Sequence, residues 1–397
     1  MGGATTETLT EQRRWFAVGQ SNDRDAATAG DAAAAAALRG EEAQLLVVFC
    51  SHTHDLEALL GAINRRSEGV PLIGCSTAGE IATGGPGDAG VVVTALGGPG
   101  FSARTASAQI DGGDLRAAGA AVAGCVAACP ERAGRVLLLL TDGLAGDQQE
   151  VVRGAYSVVG ASTPLVGGCA GDGLEMRRTY QLHNDRVLTH SVVGVALSSE
   201  GTMGIGVRHG WRRVGEPVLV TRSANNRVYT LNDRPALEVY LEHLDPPADA
   251  HDDPAAFTRF ALRHPLGLQR RSGEEHVRFV GEADFENGSL GFIAEVPQGG
   301  LAWFMEGDEE SVLAATDAAC ADALAPLHGE PPLGAFAFDC IARRGVLGDE
   351  GIETEVERVA RSTGGAPVSG FYTYGEIART HGQSGFHNQT LVVLAVG

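Results

Sequence analysis

A chain of 397 residues is too long for one ordinary core and suits two domains or lobes. Its net charge of −20 at pH 7 argues against a surface built for nucleic-acid phosphates, and no basic patch offsets it, since Arg13-Arg14, Arg212-Arg213, Arg270-Arg271 and Arg343-Arg344 are isolated pairs. Seven scattered cysteines, an odd number, make no disulfide framework and fit a reducing cytoplasm, and no apolar run is long enough to span a membrane.

The start, Met1-Gly2-Gly3-Ala4-Thr5-Thr6, formally fits a myristoylation signal but has no basic second anchor, and the first ten residues lack the charged and apolar regions of a secretory signal. Residues 1–29 are expected to be an extension with a first strand at Trp15–Gly19, and Asp25–Leu38 an alanine-rich helix ending before Gly40. Leu45–Cys50 has the apolar run of a buried strand. Ser51 or Thr53 caps the next helix, whose apolar stripe is Leu56, Leu59, Leu60 and Ile63. The return strand follows as Pro71-Leu72-Ile73-Gly74-Cys75-Ser76-Thr77-Ala78-Gly79-Glu80, then a glycine-rich loop and a strand near Val91–Val93.

The same unit of strand, helix, strand, acidic glycine turn and strand comes twice more. Val136–Leu140, a helix over about 147–159, and Pro164-Leu165-Val166-Gly167-Gly168-Cys169-Ala170-Gly171-Asp172 make the second copy, closed by Val192–Val195. Phe336–Cys340, a helix over about 351–360, and Pro367-Val368-Ser369-Gly370-Phe371-Tyr372-Thr373-Tyr374-Gly375-Glu376 make the third, closed by Leu391–Leu394. The distance to the proline grows from 21 to 23 to 27 residues (from Cys50, Thr141 and Cys340), the drift that loop insertions produce in repeated supersecondary units. Turn-rich Ser223–Asn226 and Asn232-Asp233 place a boundary near 220–233, with lobes over 30–222 and 223–397. Beyond it come a helix at Ala236–Leu244, strands at Val277–Val280, Leu290–Val296 and Leu301–Phe304, and a helix capped by Ser311 and ended by Pro326. The fold class is α/β, with mixed sheets flanked by helices.

In open α/β sheets ligands prefer the crevice at strand carboxyl ends, and glycine lets them approach main-chain N–H groups. If the three repeated strands are neighbours, Glu80, Asp172 and Glu376 surround one cavity. Tight turns whose carboxylates cap nearby N–H groups are the alternative. The third turn is the richest: Tyr372 and Tyr374 share one strand face, Phe371 packs on the other, and His387 and Asn388 follow. Glu376 and Glu80 are expected as carboxylate anchors of a ligand, Tyr374 as an aromatic wall and Asn388 as amide donor-acceptor. Tyr372, His387, Cys75, Ser76 and Asp172 complete the expected lining.

At these residues the chain resembles the FIST proteins, the paired N- and C-terminal sensory modules of bacterial signalling proteins, also found beside F-boxes. The resemblance rests on Gly74–Ile81, Gly168–Asp172, and Gly370–Ile377 followed by His387-Asn388-Gln389-Thr390. Arg263-His264-Pro265-Leu266-Gly267 and Phe338–Arg343 add to it, and it covers nearly everything from about residue 30. It implies a sensor of small molecules, with amino acids proposed for the family, and its FIST N-like and FIST C-like halves correspond to the two lobes. The chain leaves no residues for a kinase, cyclase or methyl-accepting output, so a separate signalling protein is the expected partner. Some members of the family bind haem and respond to nitric oxide. A haem sensor is therefore one rival reading, with His264 and His387 as axial ligands.

A cysteine-dependent hydrolase is another, with Cys75 as nucleophile and His52 or His54 as base. Cys50, His52 and His54 lack a fourth ligand for a metal site. Gly84-Gly85-Pro86-Gly87 lacks the lysine and hydroxyl of a phosphate loop, and Asp142 reads as a helix cap rather than a cation ligand. The balance favours a cytoplasmic, non-enzymatic binding protein without metal or resident cofactor.

Overall fold

The computed structural model describes residues 13–40, 42–269, 275–380 and 385–397. The myristoylation-like start and the Arg270-Arg271 pair lie outside them. Among the described residues the fold is mixed α/β, with eight helices and four sheets that fall into a repeated body and an inserted sheet domain.

The repeat is a strand and a helix longer than the sequence reading made it. The first unit runs β1 (Trp15–Ser21), α1 (Ala26–Ala37), β2 (Ala43–Ser51), α2 (Leu56–Ser67), β3 (Leu72–Thr77), a hairpin of β4 (Glu80–Ala82) and β5 (Gly85–Gly87), and β6 (Val91–Gly97). The second runs β7 (Phe101–Gln109), α3 (Leu115–Ala123), β8 (Gly134–Asp142), α4 (Gln149–Val159), β9 (Leu165–Ala170), a hairpin of β10 (Gln181–His183) and β11 (Arg186–Leu188), and β12 (Ser191–Ser199).

The third unit opens with β13 (Met203–Arg208) and is interrupted. The interruption holds β14 (Arg212–Ala224), β15 (Arg227–Leu231), β16 (Arg234–Pro235), α5 (Ala236–Leu244), α6 (Pro254–Ala261), β17 (Leu266–Gln269), β18 (Glu275–Arg278), β19 (Val280–Asp284), β20 (Ser289–Phe292) and β21 (Leu301–Glu306). The unit then resumes with α7 (Glu309–Leu324), β22 (Gly334–Cys340), α8 (Ile341–Ser362), β23 (Val368–Thr373), a hairpin of β24 (Glu376–Arg379) and β25 (Phe386–His387), and β26 (Leu391–Val396). The turn signals at Ser223–Asn226 are those of the β14–β15 hairpin inside the insert.

Local chemistry explains the boundaries. Asp55, not Ser51 or Thr53, caps α2 by accepting the N–H of Ala58. Asp308 caps α7, with Ser311 closing a capping box from inside the helix. The helix expected over 351–360 is the second part of α8, which begins ten residues earlier and kinks at Gly348, where φ is 65°. Each repeated proline opens a return strand that needs no N–H there. The carbonyls of Pro71, Pro164 and Pro367 instead accept the N–H groups of Leu46, Leu137 and Ala335. The glycine three residues on is required by close approach: a Cβ at Gly74, Gly167 or Gly370 would sit 2.4, 1.9 or 1.8 Å from the carbonyl oxygen of Val48, Leu139 or Ala337.

The three main sheets share one strand order, β1-β6-β2-β3, β7-β12-β8-β9 and β13-β26-β22-β23, with the last pair parallel and the others antiparallel. Each is completed by another unit's hairpin. β4–β5 of the first unit extends β23, β10–β11 of the second extends β3, and β24–β25 of the third extends β9. The units are therefore linked in a closed cycle with pseudo-threefold symmetry. One face of each sheet turns to a shared core in which Phe49 lies 4.7 Å from Phe371 and meets Phe338 edge-on. The run Leu137–Leu140 alternates between that core (Leu138, Leu140) and the helix side (Leu137, Leu139). The inserted sheet has its own core around Tyr240, Phe257 and Phe304. No helix among the described residues is long and apolar enough to cross a membrane.

Candidate functional site

The carboxyl ends of β3, β9 and β23 meet on the pseudo-threefold axis, joined by two sets of equivalent backbone hydrogen bonds. Ala78 N–H donates to Tyr372 O at 3.0 Å, Gly171 to Ser76 at 3.0 Å and Tyr374 to Cys169 at 3.2 Å. In the second set Tyr372 donates to Gly79, Cys169 to Gly375 and Ser76 to Tyr180. Gly79 and Gly375 sit there at φ 124° and 153°. The glycine turns are thus gathered at one hub.

Their carboxylates do not surround an open cavity. Glu80 is fully buried; it accepts the Thr77 hydroxyl at 2.5 Å and the Gly90 N–H at 2.9 Å. Glu376, equally buried, accepts the Thr373 hydroxyl and both the N–H and hydroxyl of Thr390, at 3.1 and 2.8 Å. Burial raises both acids to about 7 against the lowering effect of these bonds. Each carboxylate fastens the start of its hairpin to the strand that follows it. The equivalent position in the second unit is not Asp172 but Gln181, which begins β10 opposite Cys75 and accepts the N–H of Ser191 at 3.2 Å. Sequence comparison missed it because Glu80 follows Ala78 by two residues, whereas Gln181 follows Gly171 by ten.

Asp172 belongs to that insertion and organises it. Its carboxylate accepts the Tyr374 hydroxyl and the N–H groups of Met176, Arg177 and Arg178 at 3.0, 2.7 and 2.9 Å. Although burial pushes the acid up, these donors hold it below the ordinary aspartate value. The Tyr374 oxygen in turn accepts the N–H of Leu174 at 2.7 Å.

This loop rims a cleft of 660 Å³ between the repeated body and the insert. Tyr374, Gly143, Leu174 and Met176 form its body-side wall. Ile341, Ala342 and Arg344 of α8, beside Cys340, form a second side. The insert contributes Leu262, Phe279, Phe292, Ile293, Asn226 and Glu282. A neighbouring space of 620 Å³ shares Gly143, Met176, Asn226, Phe292 and Ile293 with it and adds Asp147, Glu150, Arg153 and Glu295. The volume suits a small molecule, and the position between two structural blocks is typical of ligand sites.

Of the residues expected to line a site, Tyr374 borders this cleft. Ser76 is buried, donating its hydroxyl to Gly171 O at 2.7 Å. Tyr372 is buried beneath Arg344, whose guanidinium lies 5.0 Å from the ring. Asn388 is buried and bonds His387 O. Cys75 is a core thiol, pushed far above its ordinary value first by burial and then by Cys50 and Cys169. Neither expected base serves it: His52 bonds Glu175 at 3.3 Å and His54 bonds Ala89 O at 3.1 Å. That arrangement gives the hydrolase reading no activated nucleophile. Among the described residues no cluster of three or more metal-ligating side chains occurs.

The two histidines considered for haem do not line the cleft. His264 Nδ1 bonds Phe260 O and its ring stacks on Phe260 at 4.2 Å. His387 Nε2 bonds Ala378 O and stacks on His276 at 5.2 Å, tying β25 to β18. These contacts do not fit an axial role. Next to His387, Gln389 holds φ 56°, donates to Leu262 O and accepts the Trp211 indole N–H, so the last hairpin grips the insert from both sides.

Beneath α8 lies a buried network centred on Asp339 and Arg343, the two charged residues of the Phe338–Arg343 segment. Arg343 bonds Asp339 at 2.7 Å, Thr316 at 2.9 Å, Glu355, and the carbonyl of His209 at the entry to the insert. Burial and the nearby Glu355 push Asp339 well above the ordinary aspartate value, whereas Arg343 holds Glu355 below its own despite burial.

Comparison with known proteins divides the chain inside the insert, after β16. The FIST N domain family matches residues 44–234 and the FIST C domain family residues 236–379. Among curated relatives, uncharacterized protein MT0656 of Mycobacterium tuberculosis (strain CDC 1551 / Oshkosh) is 29% identical over 240 residues, covering 57% of this chain and 59% of the relative. Uncharacterized protein Mb0898c of Mycobacterium bovis (strain ATCC BAA-935 / AF2122/97) is 29% identical over 245 residues with the same coverage. The chain thus spans 59% of the length of these relatives.

Proposed function

Because the chain belongs to the FIST family, a family of sensory modules, we propose that it is a small-ligand sensor whose ligand occupies the cleft between the repeated body and the insert. The observation that carries this reading is the cleft's construction. Its walls come from the third turn, the insertion of the second unit, the first turn of α8 and the insert, so that an occupant touches elements far apart in the chain. Tyr374 contacts the ligand. Asp172 acts through Tyr374 and the loop as a positioning residue, and Glu80 and Glu376 hold the hairpins that shape the hub. The role is binding rather than turnover, in the cytoplasm, where seven unpaired cysteines are stable. The signal passes to a separate protein such as a kinase or cyclase.

A thermal-shift screen of amino acids, organic acids and apolar compounds tests this, with native mass spectrometry for a carried-over molecule. Compounds that stabilise the wild type should lose that effect in Ile293→Trp, which fills the cleft. Equal stabilisation of the variant would remove the cleft from consideration.

A further inference from the structure

An amino acid brings two charges that must be matched once water is excluded. Apart from the Asp349 carboxylate, the charged and polar groups that line this cleft are already engaged. Arg344 pairs with Asp88 and donates to Ala78 O at 3.3 Å; Glu282 pairs with Arg227 at 2.9 Å; Asn226 donates to Phe292 O at 2.6 Å. The Tyr374 hydroxyl is committed to Asp172 and Leu174. Glu80 and Glu376, which could have met an ammonium, are sealed behind threonines.

The apolar groups, by contrast, stand waiting. Leu174 and Met176 are 60% and 57% exposed, among the most exposed large hydrophobic side chains of the described residues. Both also hold left-handed backbone, at φ 71° and 54°, which bulky side chains rarely adopt. The backbone bonds to Asp172 and Tyr374 fix that conformation, so the loop is shaped to present two hydrophobic side chains to the cleft rather than to bury them. Phe279, Phe292 and Ile293 line it from the insert. The adjoining space carries Asp147, Glu150 and Glu295, and its Arg153 is bonded to Glu150 and Glu295. Together with the chain's net charge of −20, this leaves no uncommitted cation among the described residues lining the two spaces to receive an anion.

Resting on the cleft assignment above, we infer that the ligand is a hydrophobic small molecule without negative charge, held between the Leu174–Met176 loop and the Phe279–Phe292 side of the insert. Nile red (neutral), rhodamine 6G (cationic) and 8-anilinonaphthalene-1-sulfonate (anionic) serve as fluorescent probes of the full chain, with L-leucine and L-glutamate followed by thermal shift. The neutral and cationic dyes should bind with one-site isotherms. Leu174→Ser with Met176→Ser should weaken them at least about tenfold, as losing several methylenes from a pocket does. Because both side chains are exposed, the unfolding temperature of that double variant should stay at the wild-type value.

Anionic dye binding as tight as the neutral dye would overturn the charge assignment. Amino acids binding in a way Ile293→Trp abolishes, with dyes ignored, would overturn the hydrophobic class while leaving the cleft as the site. Dye affinity indifferent to both the serine pair and Ile293→Trp would overturn the location itself.

Discussion

Replacing Glu376 by glutamine tests the fastening of the third hairpin through its charge. The buried carboxyl titrates at about 7 instead of the ordinary 4.5, first because burial penalises its anion. An unfolded chain releases that proton near 4.5, so the folded state binds more protons across the interval. The neutral acid therefore contributes stability that is fully present below pH 4.5 and is lost as pH rises through about 7. A difference of that size corresponds to about 3 kcal/mol, most of it expressed between pH 5 and pH 8. Glutamine stays neutral throughout and has a precedent in the same molecule: Gln181 accepts the N–H of Ser191 and donates to Thr179 at the equivalent position. Urea unfolding of both proteins at pH 5 and pH 8 gives a stability difference from which other titrating groups cancel. That difference should move by roughly 2–3 kcal/mol in favour of Glu376→Gln at the higher pH. A difference that stays constant, or moves the other way, would refute the idea that this carboxyl is neutral in the folded protein.

Two further perturbations address the framework. Gly370→Ala brings a Cβ to 1.8 Å from the Ala337 carbonyl oxygen, so it should cost about 3 kcal/mol or prevent folding; a melting temperature equal to wild type would contradict the close strand approach. Arg343→Met leaves Asp339 and Glu355 without their cation and should cost about 3–5 kcal/mol in urea unfolding, partly recovered by adding Asp339→Asn. A loss below about 1 kcal/mol would mean that the network is not held as a charged unit.

The repeat was legible because two of its residues are dictated by hard sterics. A proline can open a strand that needs no donor, and only glycine fits where Gly74, Gly167 and Gly370 press on the neighbouring carbonyls. The side assignment on β23 was legible for a similar reason, since strand alternation sends Phe371 to the shared core and Tyr372 to the helix side. The partners of the hairpins were not. β4, β10 and β24 are three or four residues long and pair with strands of a different unit, information that local patterning does not carry. The start of the third unit was concealed because β13 and α7 are separated by the whole insert. The cleft was invisible for the same reason. Leu174, Met176, Phe279 and Phe292 share no motif, and what distinguishes them is where the insert places them. Acidic residues after glycine turns looked like ligand anchors, but the threonines three residues before Glu80 and Glu376 had already claimed them.

The cyclic trade of hairpins has a consequence for biosynthesis. When the ribosome has completed only the first two units, β9 has an open flank and β4 has nowhere to dock, because both await strands of the third unit. The first two units must travel with a bare strand edge, a template for pairing with other chains, until the third emerges to close the ring.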